Sequence, residues 1–324
     1  MKITAYEDGK IAVLPSGKPT KKEGEVVVKV KASGICGSDG PRALGGKAYY
    51  YPIVVGHEFS GIIEDNDSPL DGKRVCIFPI LPCKECEFCK NEQYANCTNY
   101  DYYGSRRDGG MQDYLAVKEE NLIFLPDGVS YEEGAMIEPT AVCLHGVKKL
   151  SIKSGDNVVI YGAGTIGLLC AMWCKNFGAD NIYLVDIDEK KLDLAKSLGF
   201  KAYNGEKVSV AIEASGAGVC LNKAIESIDA FGRLLVIGNT SSDVTIKKEN
   251  YAKILRKQLS LFGTWNSDFS SSVNDWQDSL TAINDKRINP SALITHRFLL
   301  EEGDKAFEVV RNREFYNKIM VVTK

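Results

Sequence analysis

No apolar run in this chain approaches the roughly eighteen residues that a helix needs to cross a bilayer, so no membrane span is expected. The opening residues, Met1 to Asp8, lack the apolar core of a secretory signal, and a cytoplasmic location is the expectation. An excess of one charge is missing too. Forty Lys and Arg face 43 Asp and Glu, a net charge of −3, which argues against nucleic acid or an anionic membrane as partner. Internal repeats and low-complexity stretches are absent. Histidine is scarce, at three in 324 residues. Cysteine is not, at ten, but four of these lie too close together for a disulfide framework and have metal-site spacing instead. A chain of this length exceeds one ordinary core, and two domains are expected.

What is present is organised around Val158 to Asp186. Val158–Tyr161 is an apolar run of the length of a buried parallel strand. It breaks at Gly162-Ala163-Gly164-Thr165-Ile166-Gly167, the G-x-G-x-x-G spacing, and helical apolar spacing continues through Trp173 to a stop at Gly178. A second run, Ile182–Val185, ends on Asp186, nineteen residues after Gly167. Gly162 permits the tight turn, Gly164 a close approach of backbone to pyrophosphate, and Gly167 close packing of helix on strand. The helix start offers unpaired N–H groups to a diphosphate, and Asp186 can accept from a ribose. Strand, glycines, helix, strand and terminal acid together predict a dinucleotide site. Two further strands, Leu234–Gly238 and Leu259–Trp265, end where such a sheet binds ligand, so Ile237, Gly238, Gly263 and Thr264 are expected to border the cofactor.

The first third reads differently. Glu25–Lys31 is a β-branched strand, followed by Gly34-Ile35-Cys36-Gly37-Ser38-Asp39 and later Gly56-His57-Glu58. A lone cysteine is most often a small buried hydrophobe. Here, thiolate, imidazole and carboxylate are the ligand types of a catalytic zinc that keeps one position open. Cys83, Cys86, Cys89 and Cys97 follow, spaced as a closed, all-thiolate structural zinc site in a polar lobe, 83–97. Cys76, inside an apolar run, reads as core. Tyr103 to Met111 carries Arg106 and Arg107; a paired arginine is normally a solvated turn, but guanidinium forks also bind phosphate. Glu138-Pro139 opens a helix on which Glu138 and His145 share a face.

The ordered set Gly-Ile-Cys36-Gly-Ser-Asp, Gly56-His57-Glu58, the four-cysteine spacing and the later glycine turn resembles the zinc-dependent medium-chain alcohol and polyol dehydrogenases, over essentially the whole chain. The resemblance implies an α/β fold: a Rossmann doubly wound parallel sheet inserted in a β-rich, GroES-like catalytic domain. It implies a catalytic domain over 1–140 and 290–324 and a dinucleotide domain over 141–289, with zinc and nicotinamide held where they meet. Zinc held by Cys36, His57 and either Glu58 or Glu138 would polarise a secondary hydroxyl, Ser38 would take its proton, and hydride would pass to NAD. Two zinc ions per chain and a homodimer or homotetramer are expected. The outer proton relay of many relatives is a histidine shortly after the zinc cysteine, where this chain has Pro41 and Arg42. Arg42 stands where the family places a substrate contact, and with Arg106 and Arg107 it suits an anionic substrate, a polyol phosphate of the galactitol 1-phosphate kind. A free polyol such as sorbitol or xylitol, L-threonine, and a zinc- and dinucleotide-binding module without turnover are the alternatives. The interval between Gly199 and Val208 is short for the family, which usually places a helix and a strand there.

Overall fold

The computed structural model describes residues Met1–Lys324. Its contacts divide the chain into two units, one of Met1–Glu138 with Asp268–Lys324, the other of Pro139–Ser267.

The first unit is built on a seven-stranded sheet. Its spine runs Ile294–Leu299, Lys318–Val322, Glu25–Ile35, Glu58–Ile63, Arg74–Ile77, Leu122–Phe124, and Tyr114–Lys118 also pairs with Glu25–Ile35. Valines 26, 27, 28 and 30 make the central strand apolar on both faces, and all are buried. Both neighbours of that strand run antiparallel to it, Gly34 facing Glu58 and Ile35 facing Ile319. The sheet therefore gathers at one end the residue after the central strand, Cys36, and the first residues of both flanking strands, Glu58 and Lys318.

The second unit holds a six-stranded parallel sheet in the order Lys201–Ala202, Asn181–Val185, Asn157–Tyr161, Val208–Glu213, Ile228–Val236, Ser260–Gly263. This is the doubly wound order in which the chain reverses beside its first strand. Helix Thr165–Asn176 follows that first strand, as the apolar spacing predicts. The short interval after Gly199 keeps its strand, cut to Lys201–Ala202, and loses the helix: residues 203–207 run directly into Val208–Glu213.

The contacts divide the chain at Ser267, whereas the sequence reading sets the boundary at 289. Helix Asp275–Asn284 belongs to the first unit, where its one aromatic, Trp276, and Phe269 just before it pack on Phe78. Phe78 meets the ring of Phe269 at 5.0 Å and that of Trp276, edge to face, at 5.5 Å. Burying two such rings outweighs the short chain distance back to strand Ser260–Gly263.

Candidate active site and zinc lobe

At the gathered end of the first sheet, Cys36 begins a loop closed by Asp39, whose Oδ2 accepts from the Cys36 N–H at 2.9 Å. Ser38 Oγ stands 3.4 Å from Cys36 Sγ. His57, brought in by the residues before Glu58–Ile63, lies with Nδ1 3.5 Å from Asp39 Oδ1. Both of these facing atoms are buried and lack a hydrogen-bond partner. Burial pushes the Asp39 carboxyl up, but His57 and Arg42 hold it below the usual range. Burial pushes His57 down, and Asp39 and Cys36 hold it well above the ordinary histidine value. Cys36, His57 and Glu58 each offer a ligand atom within 4.8 Å of the others.

Two buried carboxylates serve this site, and they are not alike. Glu58 is 1% exposed, and both its oxygens accept from Lys318 Nζ, at 2.6 and 2.8 Å. Lys318 also donates to Ile35 O at 3.2 Å. Gly34 makes the room: a Cβ there would stand 2.2 Å from Glu58 Oε2. Glu138 has no such cation. Its Oε1 accepts from the Tyr102 hydroxyl at 3.3 Å, and burial pushes its carboxyl up to about 7. The Tyr102 ring meets His57 edge-on at 5.6 Å. His57 and Lys318 act on Glu138 only from beyond hydrogen-bond reach, and a cation among Cys36, His57 and Glu138 would relieve the cost of burying that carboxylate. Lys318 and Tyr102 are the residues that sequence reasoning missed.

The arginines fall apart in role. Arg42 Nη1 donates to Ser38 Oγ at 2.8 Å and lies 3.5 Å from Asp39 Oδ1. Arg107 is engaged, its Nε on Asp101 Oδ2 at 2.6 Å. Arg106 lies over the rings of Tyr49 and Tyr100, at 4.7 and 4.3 Å, and its buried Nε has no partner. Tyr100 in turn touches Tyr102 at 6.1 Å. The turn bearing both arginines is anchored just before His57: Gly109 and Gly110 donate to Val54 O and Gly56 O, each at 2.7 Å.

The four-cysteine lobe fits a zinc ion. Cys83 and Cys89 place their Sγ atoms 3.9 Å apart, as do Cys86 and Cys97. Zn–S bonds of about 2.3 Å in a tetrahedron give S···S edges of about 3.8 Å. A disulfide would need about 2.05 Å. Cys76, by contrast, is fully buried in strand Arg74–Ile77 and is core, as its apolar surroundings predict.

In the second unit the glycine turn behaves as its spacing predicts. Gly162 has a φ of +105°, and a Cβ on Gly167 would stand 1.8 Å from Gly162 O. Nothing lies within 4 Å of where a Gly164 Cβ would be, which leaves the turn open to a diphosphate ahead of Thr165 and Ile166. Asp186 accepts from Ala163 N at 2.8 Å, so its carboxylate stands over the turn. Ile237 and Gly238 donate to Glu213 O, and the Glu213 side chain ties down Ser215 and Gly216. Gly263 ends the last strand, and Thr264 Oγ1 beyond it is buried without a partner, an orphan that a cofactor amide would satisfy. His145 lies on the part of helix Ile137–Lys149 that belongs to this unit.

Comparison with known proteins places this geometry. The family described as "Alcohol dehydrogenase GroES-like domain" matches residues 22–127, and that described as "Zinc-binding dehydrogenase" matches residues 165–285. Galactitol 1-phosphate 5-dehydrogenase of Escherichia coli (strain K12) is 34% identical over 338 aligned positions, covering 97% of each chain. Sorbitol dehydrogenase of Halalkalibacterium halodurans is 30% identical, over 96% of this chain and 95% of its own. The crystal structure of galactitol-1-phosphate dehydrogenase from Escherichia coli superposes with a TM-score of 0.91 at 33% identity, covering 99% of each chain.

Proposed function

The chain belongs to the zinc-dependent medium-chain alcohol and polyol dehydrogenases, and from that premise we propose that it oxidises a secondary hydroxyl of a polyol phosphate with NAD as hydride acceptor. Cys36, His57 and one carboxylate would hold the catalytic zinc, which supplies Lewis acidity. Glu138 is the better candidate for that carboxylate, because Lys318 already offsets Glu58. The nicotinamide, held through the open glycine turn and Asp186, supplies the hydride acceptor.

The chain's own groups divide the remaining work. Ser38 Oγ takes the alcohol proton. Arg42 donates to that oxygen and cannot itself accept a proton, so it serves as a fixed positive charge that favours a deprotonated Ser38 while the proton leaves by solvent. Asp39 fixes the loop through the Cys36 N–H. Tyr102 holds Glu138, and its ring limits the water around His57. A dinucleotide without the 2′-phosphate suits Asp186, whose charge would repel that group. The Michaelis constant for NAD should therefore be the lower of the two, and a lower value for NADP would refute the preference.

The observation that supports the phosphate is that Arg106 faces no carboxylate: its Nη1 donates to Tyr100 O at 3.0 Å and its Nη2 to the Tyr49 hydroxyl at 3.5 Å. Arg107 is spent on Asp101, and Arg42 stands at the reacting end beside Ser38. Arg106, reached from Glu138 through the rings of Tyr102 and Tyr100, keeps a further N–H on each of Nη1 and Nη2 for an anion at the far end of a polyol. Losing a charged hydrogen-bond partner costs about 1.5–3 kcal/mol, so Arg106→Ala should lower kcat/KM for the phosphorylated polyol about ten- to hundredfold. Its effect on the dephosphorylated parent should be small. A wild type that prefers the free polyol, or a substitution that affects both substrates alike, would overturn the phosphate and leave a free-polyol dehydrogenase.

A further inference from the structure

Three tyrosines in a row, Tyr49, Tyr50 and Tyr51, lie between helix Asp39–Leu44, which carries Arg42, and His57. Each is tied to one of the two arginine-bearing segments of the first unit. The Tyr51 hydroxyl donates to Arg42 O at 2.5 Å and accepts from Ala48 N at 3.0 Å. The Tyr50 hydroxyl donates to Asp108 Oδ1 at 3.1 Å, an oxygen that also accepts from Val54 N at 2.9 Å. Tyr49 meets Arg106 itself: its ring lies 4.7 Å from the guanidinium carbon, and its hydroxyl accepts from Nη2 at 3.5 Å. Tyr100 adds a second ring at 4.3 Å and a carbonyl that accepts from Nη1 at 3.0 Å. Two rings and two acceptors thus hold one guanidinium, with a further N–H left on each terminal nitrogen.

We propose that this tyrosine segment is a specificity element for the charged end of the substrate, with Tyr49 as the residue that positions the Arg106 guanidinium. The inference rests on the phosphorylated-polyol reading above. A planar guanidinium grips phosphate through parallel N–H groups, which requires its plane to be held. A long side chain left free would lose rotamer freedom each time an anion bound, and stacking on Tyr49 and Tyr100 removes that loss in advance. Tyr51 and Tyr50 pin the same segment to the Arg42 backbone and to Asp108. The ring that orders Arg106 is therefore fixed relative to the end where Arg42 meets Ser38.

The test follows the zinc-loaded enzyme with NAD on a panel of hexitol phosphates and their free parent hexitols, with inorganic phosphate as a competing anion. Tyr49→Ala should raise KM for the preferred hexitol phosphate, and the inhibition constant of inorganic phosphate, about two- to fivefold, the worth of an exposed cation–π contact. Neither kcat nor KM for the free hexitol should change, because Tyr49 acts at the anion and not at the reacting carbon. Tyr49→Phe, which keeps the ring, should behave as wild type. In an Arg106→Ala background, Tyr49→Ala should add nothing, since the two side chains act as one unit. Tyr49 is 66% exposed, so its truncation leaves no core cavity to unfold the chain. A wild type that turns over no hexitol phosphate better than its parent, or a preference that survives Arg106→Ala, would overturn the reading of the anion site and this inference with it. Where that preference exists and depends on Arg106, four results would each overturn the role of Tyr49 alone: an unchanged KM in Tyr49→Ala, an equal effect on both substrates, a Tyr49→Phe as impaired as Tyr49→Ala, or additive losses in the double variant.

Discussion

Lys318 shows what a single residue does at this centre. Its ammonium and the Glu58 carboxylate are 3% and 1% exposed and lie 2.6 Å apart. Burial pushes the lysine down, but Glu58 and Cys36 hold it above its ordinary value, so it stays charged. Removing one partner of such a pair strands the other, at a cost of about 3–5 kcal/mol. Lys318→Met should lose about that much stability in urea unfolding of the metal-free protein. The double variant Lys318→Met/Glu58→Gln should regain most of it, because no charge is then stranded. A single variant within about 1 kcal/mol of wild type would refute the coupling. The sequence hid this pair for a physical reason. A lysine opening an apolar strand normally faces water, and Glu58 beside His57 reads as a ligand in its own right; only the sheet register brings residues 58 and 318 together. Gly34 was legible as a glycine but not as the space for a carboxylate. Cys36, His57 and the four lobe cysteines were legible, because ligand chemistry restricts residue type and spacing together.

At the scale of elements, caps and edges settle what periodicity leaves open. Helix Tyr131–Ala135 is only five residues long and leads into the helix that carries Glu138, so its start matters. Ser130 caps it in a reciprocal box: Glu133 N donates to Ser130 Oγ at 3.2 Å, and Ser130 N donates to Glu133 Oε2 at 2.8 Å. Ser130→Ala should cost about 1 kcal/mol in denaturant unfolding at neutral pH. Burial raises the Glu133 carboxyl, but the Ser130 hydrogen bonds and Lys286 hold it below its ordinary value. A depressed folded value means that the contribution is present above the unfolded carboxyl's pKa and lost as pH falls through the folded one. The gap between wild type and Ser130→Ala should therefore narrow below about pH 4.3. A gap that widens on acidification would contradict the box. The helix Asp275–Asn284 makes the complementary point. Nothing in its sequence says which sheet it covers. The partner, Phe78, is some two hundred residues earlier in the chain.

For the whole molecule, the separation of two cysteine sets predicts two independent metal dependences in one chain. The lobe has little structure of its own, one four-residue helix and one 3₁₀ turn, and only two of its four cysteines are buried. Its order must come largely from metal, as in small zinc modules whose folding free energy is binding free energy. Cys36 differs. It follows an eleven-residue strand paired with three others, and that ladder of backbone hydrogen bonds does not run through the thiolate. Wild type should carry two zinc atoms per chain by elemental analysis. Cys36→Ser should carry about one, unfold near the wild-type midpoint, and show no turnover. Cys86→Ser should also carry about one, but unfold several degrees lower, because the lobe and the loop that meets it through Glu92 and Ser271 loosen together. A chelator should reproduce the fall in melting temperature in wild type and in Cys36→Ser, where the lobe is intact, but add little in Cys86→Ser. Equal destabilisation by the two substitutions would mean that the catalytic centre also holds the fold. Full zinc content in either would mean that the remaining ligands suffice without the lost thiolate. The division between a metal that orders the lobe and one that serves chemistry rests on those two outcomes not occurring.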